Sequence, residues 1–152
     1  MLDLSRYLPY LLNRAGAHIA SAFNRRVREY GITLPIWRVL AALNHRDGQR
    51  ISQLAEMTAI EVSTLSRVIN LMVRKRLTGR RRSGGDARAV TVHLTAAGRM
   101  LTRRIIPVAR EYEAVALAGF SKAEADMLRA MLVRLYGNMQ RLDAALEIVA
   151  AE

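Results

Sequence analysis

Apolar residues recur at intervals of three and four along most of this chain, a spacing that places them on one face of an α-helix. The pattern predicts six helices. They are expected to cover residues 4–30, 34–43, 51–57, 61–75, 96–118 and 122–149. Helices with one apolar stripe bury that stripe against each other, so a packed, mainly helical fold is expected.

Local signals mark several helix ends. Gly31 ends the first helix, and Thr33, followed by Leu34 and Pro35, is predicted to cap the second. Ser121 with Glu124 three residues later is a capping box for the last helix. Only residues 58–60 separate the third and fourth helices, which is the spacing of a helix-turn-helix.

The period changes after Arg76. Val90, Val92 and Leu94 alternate with less apolar residues, as in a half-buried β-strand, and residues 77–82 form a plausible partner strand. Residues 83–86 are rich in turn formers. The sequence therefore predicts a two-stranded β-hairpin directly after the fourth helix.

Composition restricts the class of protein. The chain has 152 residues, a net charge of +11, 51% hydrophobic residues and no Cys. This excludes disulfide scaffolds, thiolate zinc sites and Cys nucleophiles. The longest stretches without a charged residue, 15–24 and 89–98, are too short to cross a membrane, and the N-terminus lacks a secretory signal pattern, so a cytoplasmic location is expected.

The positive charge is concentrated around the predicted hairpin. Residues 74–88 contain seven basic residues and one acidic residue, Asp86. The basic residues are Arg74, Lys75, Arg76, Arg80, Arg81, Arg82 and Arg88. A stretch that carries almost only positive charge is typical of a surface that binds nucleic acid or an anionic membrane, although a basic loop without a partner is the alternative. The hairpin offers no large apolar face for insertion into a membrane, which favours nucleic acid.

The fourth predicted helix has the features of a recognition helix. Ala55 and Ala59 are the small residues that a helix-turn-helix needs at its crossing and in its turn. One face of the helix carries Ser63, Thr64, Arg67, Asn70, Leu71 and Arg74, and the opposite face carries Leu65, Val68, Ile69 and Met72. Ser, Thr, Asn and Arg can bond to base edges or phosphates in a major groove wide enough for a helix.

Two motifs resemble the MarR family of winged helix-turn-helix transcriptional regulators. Residues 31–43, GITLPIWRVLAAL, are similar to the second helix of the family, and residues 86–98, DARAVTVHLTAAG, to its wing and the following helix start. The resemblance implies a mainly α winged helix-turn-helix with a two-stranded β-wing. It also implies a helical dimerisation region, residues 1–30 and 96–152, around a DNA-binding domain, residues 31–95.

The resemblance further implies how the domain meets DNA. The recognition helix enters the major groove and the wing reaches the minor groove. By position, Arg88 resembles the wing-tip arginine and Asp86 the acid that orients it. The family commonly has Gly where Arg76 stands, so either Arg76 adopts a positive φ or the recognition helix ends differently. Glu61 is a weak cap whose carboxylate suits the helix dipole but repels a nearby phosphate.

The sequence gives little support for an enzyme. His18, His45 and His93 lie on different predicted elements and are not paired with carboxylates at ligand spacing, so no catalytic site, metal or cofactor is expected. The resemblance instead implies a small aromatic or phenolic effector between the dimerisation helices and the winged domain. His18, Trp37 and Tyr112 are the candidates to line that cleft, although apolar helix faces give the same pattern without a ligand.

The resulting hypothesis is a dimeric, sequence-specific transcriptional regulator, a repressor released by a small molecule, that binds a pseudo-palindromic operator. The predicted DNA-binding residues are Ser63, Thr64, Arg67, Asn70, Arg74, Arg80, Arg82, Asp86 and Arg88. The alternatives are an effector-independent architectural or anti-silencing DNA-binding protein of the same fold, and a protein that binds anionic membrane surfaces.

Overall fold

A computed structural model describes residues 2–83 and 86–150, with the side chains of residues 2–82 and 90–143. Its helices and strands follow one another as α1 (Leu8–Arg28), α2 (Leu34–His45), β1 (Gln49–Arg50), α3 (Ile51–Thr58), α4 (Val62–Arg74), β2 (Thr78–Ser83), β3 (Asp86–Leu94), α5 (Ala96–Ala116) and α6 (Lys122–Ala150). The mainly helical winged helix-turn-helix expected from the sequence is confirmed.

The sheet has three antiparallel strands in the order β1-β3-β2 rather than two. The additional strand, β1, pairs Gln49 with Val92 and Arg50 with Thr91. The Gln49 side chain, which is buried, donates hydrogen bonds to the carbonyl oxygens of Ala42 and Arg46 at 3.3 and 2.7 Å. A strand of two residues is too short to show an alternating pattern, so the sequence predicted no element between the helices at 34–43 and 51–57.

The core of the winged domain forms around α2. Its buried residues Ile36, Val39, Leu40 and Leu43 are spaced as one helical face. They share a cluster with apolar side chains of the other elements, namely Val27, Leu54, Leu65, Ile69, Met72, Val92 and Ile105. Residues up to Tyr112, α1 included, form one compact unit. The predicted division into a dimerisation region and a DNA-binding domain stays a prediction.

The start of α2 differs from the sequence-based expectation. The side chain of Thr33 makes no capping hydrogen bond. Instead, Asn24 on α1 accepts a hydrogen bond from the backbone N–H of Leu34 at 2.9 Å. The cap therefore comes from a neighbouring helix, which also fixes α1 against α2. Likewise α1 begins at Leu8 rather than at residue 4, with Pro9 in its first turn.

The joint between β3 and α5 is closely packed. Thr95 Oγ1 accepts a hydrogen bond from the N–H of Gly98 at 3.0 Å and lies 2.6 Å from the carbonyl oxygen of Arg76, to which it donates. A Cβ on Gly98 would lie 2.1 Å from the carbonyl oxygen of Leu77. Only glycine allows this approach, which holds the first turn of α5 against the segment that follows α4.

The second compact unit begins at Glu113 and contains α6. The predicted capping box is confirmed: Ser121 N–H donates to Glu124 Oε2 at 2.7 Å, and Glu124 N–H donates to Ser121 Oγ at 3.2 Å. Many apolar side chains of α6 are exposed in the single chain, including Met127, Leu128, Met131, Leu132, Val133, Tyr136, Met139 and Leu142.

Candidate nucleic-acid interface

The turn between α3 and α4 sets the direction of α4, the helix predicted to read DNA. Ala59 has φ 51° and ψ 39°, the left-handed conformation, and the N–H of Ile60 donates to the carbonyl oxygen of Ala55 at 3.3 Å. Glycine is the usual residue for this conformation, and a residue with a Cβ costs about 1 kcal/mol there. The closed turn brings α3 and α4 together as a helix-turn-helix.

Helix α4 divides cleanly into a buried and a polar face. Leu65, Ile69 and Met72 are fully buried in the core. The side chains predicted to read DNA, Ser63, Thr64, Arg67, Asn70 and Arg74, are exposed on the other side, and we call them the α4 polar face. Leu71, predicted on the same face, is half-buried against the core. The structure therefore brings these five predicted residues together on one exposed surface.

Glu61 places a negative charge at the start of this helix. Its carboxylate accepts hydrogen bonds from the Ser63 hydroxyl and, at 3.4 Å, from the Ser63 backbone N–H. These bonds, chiefly the one from the hydroxyl, hold the pKa of Glu61 below its ordinary value. Because the hydroxyl proton of Ser63 is engaged, Ser63 offers an acceptor rather than a donor to any further partner.

The end of α4 decides between the two alternatives for Arg76. The residue has φ 57°, so it adopts the left-handed conformation in the place where the family commonly has Gly. The N–H of Leu77 donates to the carbonyl oxygen of Met72 at 2.9 Å, and the N–H of Arg76 to that of Val73 at 2.9 Å. This is the usual closure of a helix before a sharp change of direction, and the chain enters β2 directly after it.

The first strand of the wing supplies the concentrated positive charge. Arg80, Arg81 and Arg82 are exposed and pair with Val92, Thr91 and Val90 of β3. Arg80 Nη2 donates to Asn70 Oδ1 at 2.8 Å, which joins the wing to the α4 polar face. In contrast, Lys75 Nζ donates to the carbonyl oxygen of Gly31 at 3.3 Å, so part of the charge holds the turn between α1 and α2.

The two residues predicted at the wing tip belong to β3 by their backbone. The side chains of Asp86 and Arg88 lie outside the described residues. Their proposed pairing, and the contact of Arg88 with a minor groove, therefore stay predictions.

The candidate effector residues are only partly brought together. Phe23 lies between Trp37 and Tyr112, with ring centroids 5.8 and 5.4 Å apart and edge-to-face geometry. Trp37 and Tyr112 are half-buried, whereas His18 is exposed on α1. Phe23 is a buried apolar residue of α1, and no sequence motif marks it as the ring that joins the other two.

Trp37 also borders a surface cavity of about 370 Å³ between α2 and α3. Its lining combines aromatic, basic and apolar side chains, namely Trp37, Arg38, Ala41, Ala42, His45, Met57 and Thr58. Among the described residues, no group of three or more His, Asp and Glu side chains is arranged to hold a metal ion. None of the helices in the described part of the chain is long and apolar enough to cross a membrane.

The chain is similar to one family model and to several known proteins in sequence and structure. Residues 30–89 match the model of the MarR family. The HTH-type transcriptional repressor IacR of Pseudomonas putida is 26% identical, and the match covers 88% of this chain and 80% of IacR. A transcriptional regulator of the MarR family from Silicibacter pomeroyi is 29% identical, with a TM-score of 0.81 over 90% of this chain and 92% of that one.

A third similar protein is BpsR of Bordetella bronchiseptica, whose DNA binding is described as regulated by 6-hydroxynicotinic acid. It is 25% identical, with a TM-score of 0.76 over 84% of this chain and 97% of BpsR. The chain is thus similar to the MarR family by the family model and by a solved structure of that family, and it is similar in sequence to a named repressor.

Proposed function

We propose that this chain, a MarR family protein by sequence match and by fold, is a dimeric transcriptional repressor that binds a specific DNA sequence and is released by a small aromatic effector. The arrangement of α4 and β2 is the observation that carries this proposal. IacR, a repressor by name, and BpsR, which binds DNA, support it as similar proteins.

DNA recognition requires exposed base-reading side chains together with groups that hold phosphate. The α4 polar face offers hydroxyl, amide and guanidinium groups on a helix that fits a major groove. Arg80, Arg81 and Arg82 lie exposed on the following strand and supply positive charge for the backbone. We expect Arg67 and Asn70 to contribute to the choice of bases and the wing to contribute mainly affinity.

A dimer is supported by the apolar surface of α6. Its exposed side chains include Leu132, which is 41% exposed, and Leu142, which is 48% exposed. Large contiguous apolar surfaces are rare on monomers and mark interaction sites. A second copy of the chain is the expected partner, and its two-fold symmetry explains why we expect a pseudo-palindromic operator with half-sites about one helical turn apart.

An aromatic effector is supported by the rings around Phe23 and by BpsR, which responds to 6-hydroxynicotinic acid. Trp37 and Tyr112 are half-buried and edge-to-face with Phe23, so a planar ligand can stack on the same group. Phe23 on α1, Trp37 on α2 and Tyr112 on α5 come from three helices. A ligand at this place would change how the helices pack, and through α2 the position of the winged domain.

The direct test is selection of bound fragments from the source genome, followed by sequencing. We expect one recurring pseudo-palindrome, which Arg67→Ala should lose. Arg110→Ala is the matched control, because it removes the same charge from an exposed position on α5. Enrichment of bound fragments that share no common sequence would support the architectural alternative. Equal losses of DNA binding in Arg67→Ala and Arg110→Ala would show that Arg67 contributes only charge.

A further inference from the structure

One hydrogen bond joins a base-reading candidate to the wing. Arg80 Nη2 on β2 donates to Asn70 Oδ1 on α4 at 2.8 Å. Both side chains are exposed, so the bond lies on the surface that the proposed function turns toward DNA. The two residues are ten positions apart in sequence and lie on different elements, which makes the contact a property of the fold.

The register of the wing explains why Arg80 makes this contact. Residues directly opposite each other in an antiparallel pair share one face of the sheet, and successive residues alternate between faces. Arg80 pairs with the fully buried Val92, and Thr78 pairs with the buried Leu94, so Arg80 projects from the core side of the sheet, beside α4. Arg81 pairs with Thr91 and projects from the opposite face.

The chemistry of the pair fixes the orientation of the amide. A guanidinium group only donates hydrogen bonds, so the atom of Asn70 that faces Arg80 must be the oxygen. Within the described part of the chain, Asn70 Nδ2 has no acceptor. Its NH₂ group is therefore wholly available to a ligand, whereas Oδ1, which has two lone pairs, is turned toward Arg80 by the bond it accepts.

We propose that Arg80 is a specificity-determining positioning residue, which holds the Asn70 amide in one orientation, with its oxygen toward the wing and its NH₂ group toward DNA. This inference rests on the proposed function, in which α4 reads a major groove. A free Asn amide pairs with adenine through its oxygen and its nitrogen together. With its oxygen turned toward Arg80, Asn70 cannot also accept from adenine N6, so its NH₂ group reaches one acceptor on adenine, N7, but two on guanine, N7 and O6.

Base preference is the first test. Binding sites are selected from random duplexes with the wild type, Arg80→Ala and Arg81→Ala, and Asn70→Ala identifies the position that Asn70 reads. At that position the wild type should prefer guanine over adenine, and Arg80→Ala should shift the preference toward adenine by about fivefold, the ratio that one hydrogen bond supplies. Arg81→Ala should lose affinity through the same change in charge but keep the preference.

The second measurement does not require DNA. The ¹⁵N–¹H signals of the Asn70 side-chain amide, assigned from their absence in Asn70→Ala, should move in Arg80→Ala and stay in place in Arg81→Ala. If they move in neither variant, the contact is absent and the inference is wrong.

The remaining outcomes separate the inference from the proposed function. A wild type that selects a clear sequence with adenine at the Asn70 position overturns the inference alone. Equal changes of base preference in Arg80→Ala and Arg81→Ala also overturn the inference alone. A wild type that selects no sequence overturns the proposed function and the specificity role of Arg80 with it.

Discussion

Arg99 Nη2 lies 3.2 Å from Asp47 Oδ2, an ion pair between residues 52 positions apart that ties the loop after α2 to the first turn of α5. The other carboxylate oxygen accepts the N–H of Leu94 at 2.9 Å, and His93 Nδ1 lies 3.7 Å from Oδ2. Asp47 is therefore the point where α2, the end of β3 and the start of α5 are held together.

Asp47→Asn should lower the free energy of unfolding at neutral pH by about 1–2 kcal/mol, because the variant loses charge-assisted hydrogen bonds at a partly exposed site. Urea denaturation at pH 7 measures this. Asp126→Asn, which removes an exposed carboxylate paired with Lys122 and Arg129, is the control and should change stability less.

The difference between wild type and Asp47→Asn should depend on pH. Burial raises the pKa of Asp47, but the N–H groups of Leu94 and Gly48, with Arg99 and His93, outweigh it and hold the pKa below the ordinary value. A carboxyl with a depressed folded pKa stabilises fully above its unfolded pKa of about 3.9 and loses this stabilisation as pH falls through the folded pKa. A difference in the free energy of unfolding between the wild type and Asp47→Asn that stays constant down to pH 2 would contradict this role of Asp47.

Thr78→Val should stabilise the protein by about 1 kcal/mol. Thr78 is buried opposite Leu94, and its hydroxyl has no hydrogen-bond partner within the described part of the chain. A buried hydroxyl without a partner costs free energy that an isosteric methyl group does not. The control is Thr102→Val, which should be destabilising because the buried Thr102 hydroxyl donates to the carbonyl oxygen of Gly98 at 2.8 Å. Equal losses of stability in Thr78→Val and Thr102→Val would refute this explanation.

Light scattering after size exclusion tests the dimer. The wild type should have a mass near twice the chain mass of 17.0 kDa. Leu142→Asp places a carboxylate on the exposed apolar surface of α6 and should give monomer or aggregate. Asn138→Asp adds the same charge at another exposed position of α6 and should remain a dimer. A wild type of single-chain mass with intact DNA binding would disprove the dimer.

Fluorescence tests the effector site directly, because Trp37 is the only Trp of the chain. In a titration with 6-hydroxynicotinic acid and related small aromatic acids, at least one should quench Trp37 saturably and weaken DNA binding. Tyr112→Ala should weaken the binding of that ligand by about tenfold, which corresponds to roughly 1.4 kcal/mol of lost ring contact. Tyr10→Ala should leave the binding unchanged. Unchanged fluorescence and DNA affinity across the acids would contradict the proposed release mechanism.

Local signals allowed much of the fold to be predicted, and contacts distant in sequence account for the rest. The capping box of Ser121 and Glu124 depends on a few neighbouring residues and is confirmed, whereas α1 ends at Arg28, two residues before the predicted end, and Gly31 follows with φ 71°. Thr33 stands at the N-cap of α2 as predicted, but its side chain makes no capping hydrogen bond, and Asn24, on another helix, accepts from the N–H of Leu34 instead. No local pattern could reveal this.

The candidate site shows the same limit. The helical period alone predicted the exposed polar face of α4, because one turn of helix fixes which side chains share a face. The hydrogen bond from Arg80 to Asn70 depends on the strand register and on the turn at Arg76, which no local spacing encodes. The strand β1 was missed for a similar reason, since its partners lie more than forty positions later in the chain.

The central claim is that the chain recognises a DNA sequence rather than DNA in general. The most direct measurement is the ratio of two dissociation constants at one physiological salt concentration, for the selected duplex and for a shuffled duplex of the same length and composition. The selected duplex should bind about 10³-fold more tightly than the shuffled duplex, or better. A ratio near one, with both duplexes bound through charge alone, would contradict it.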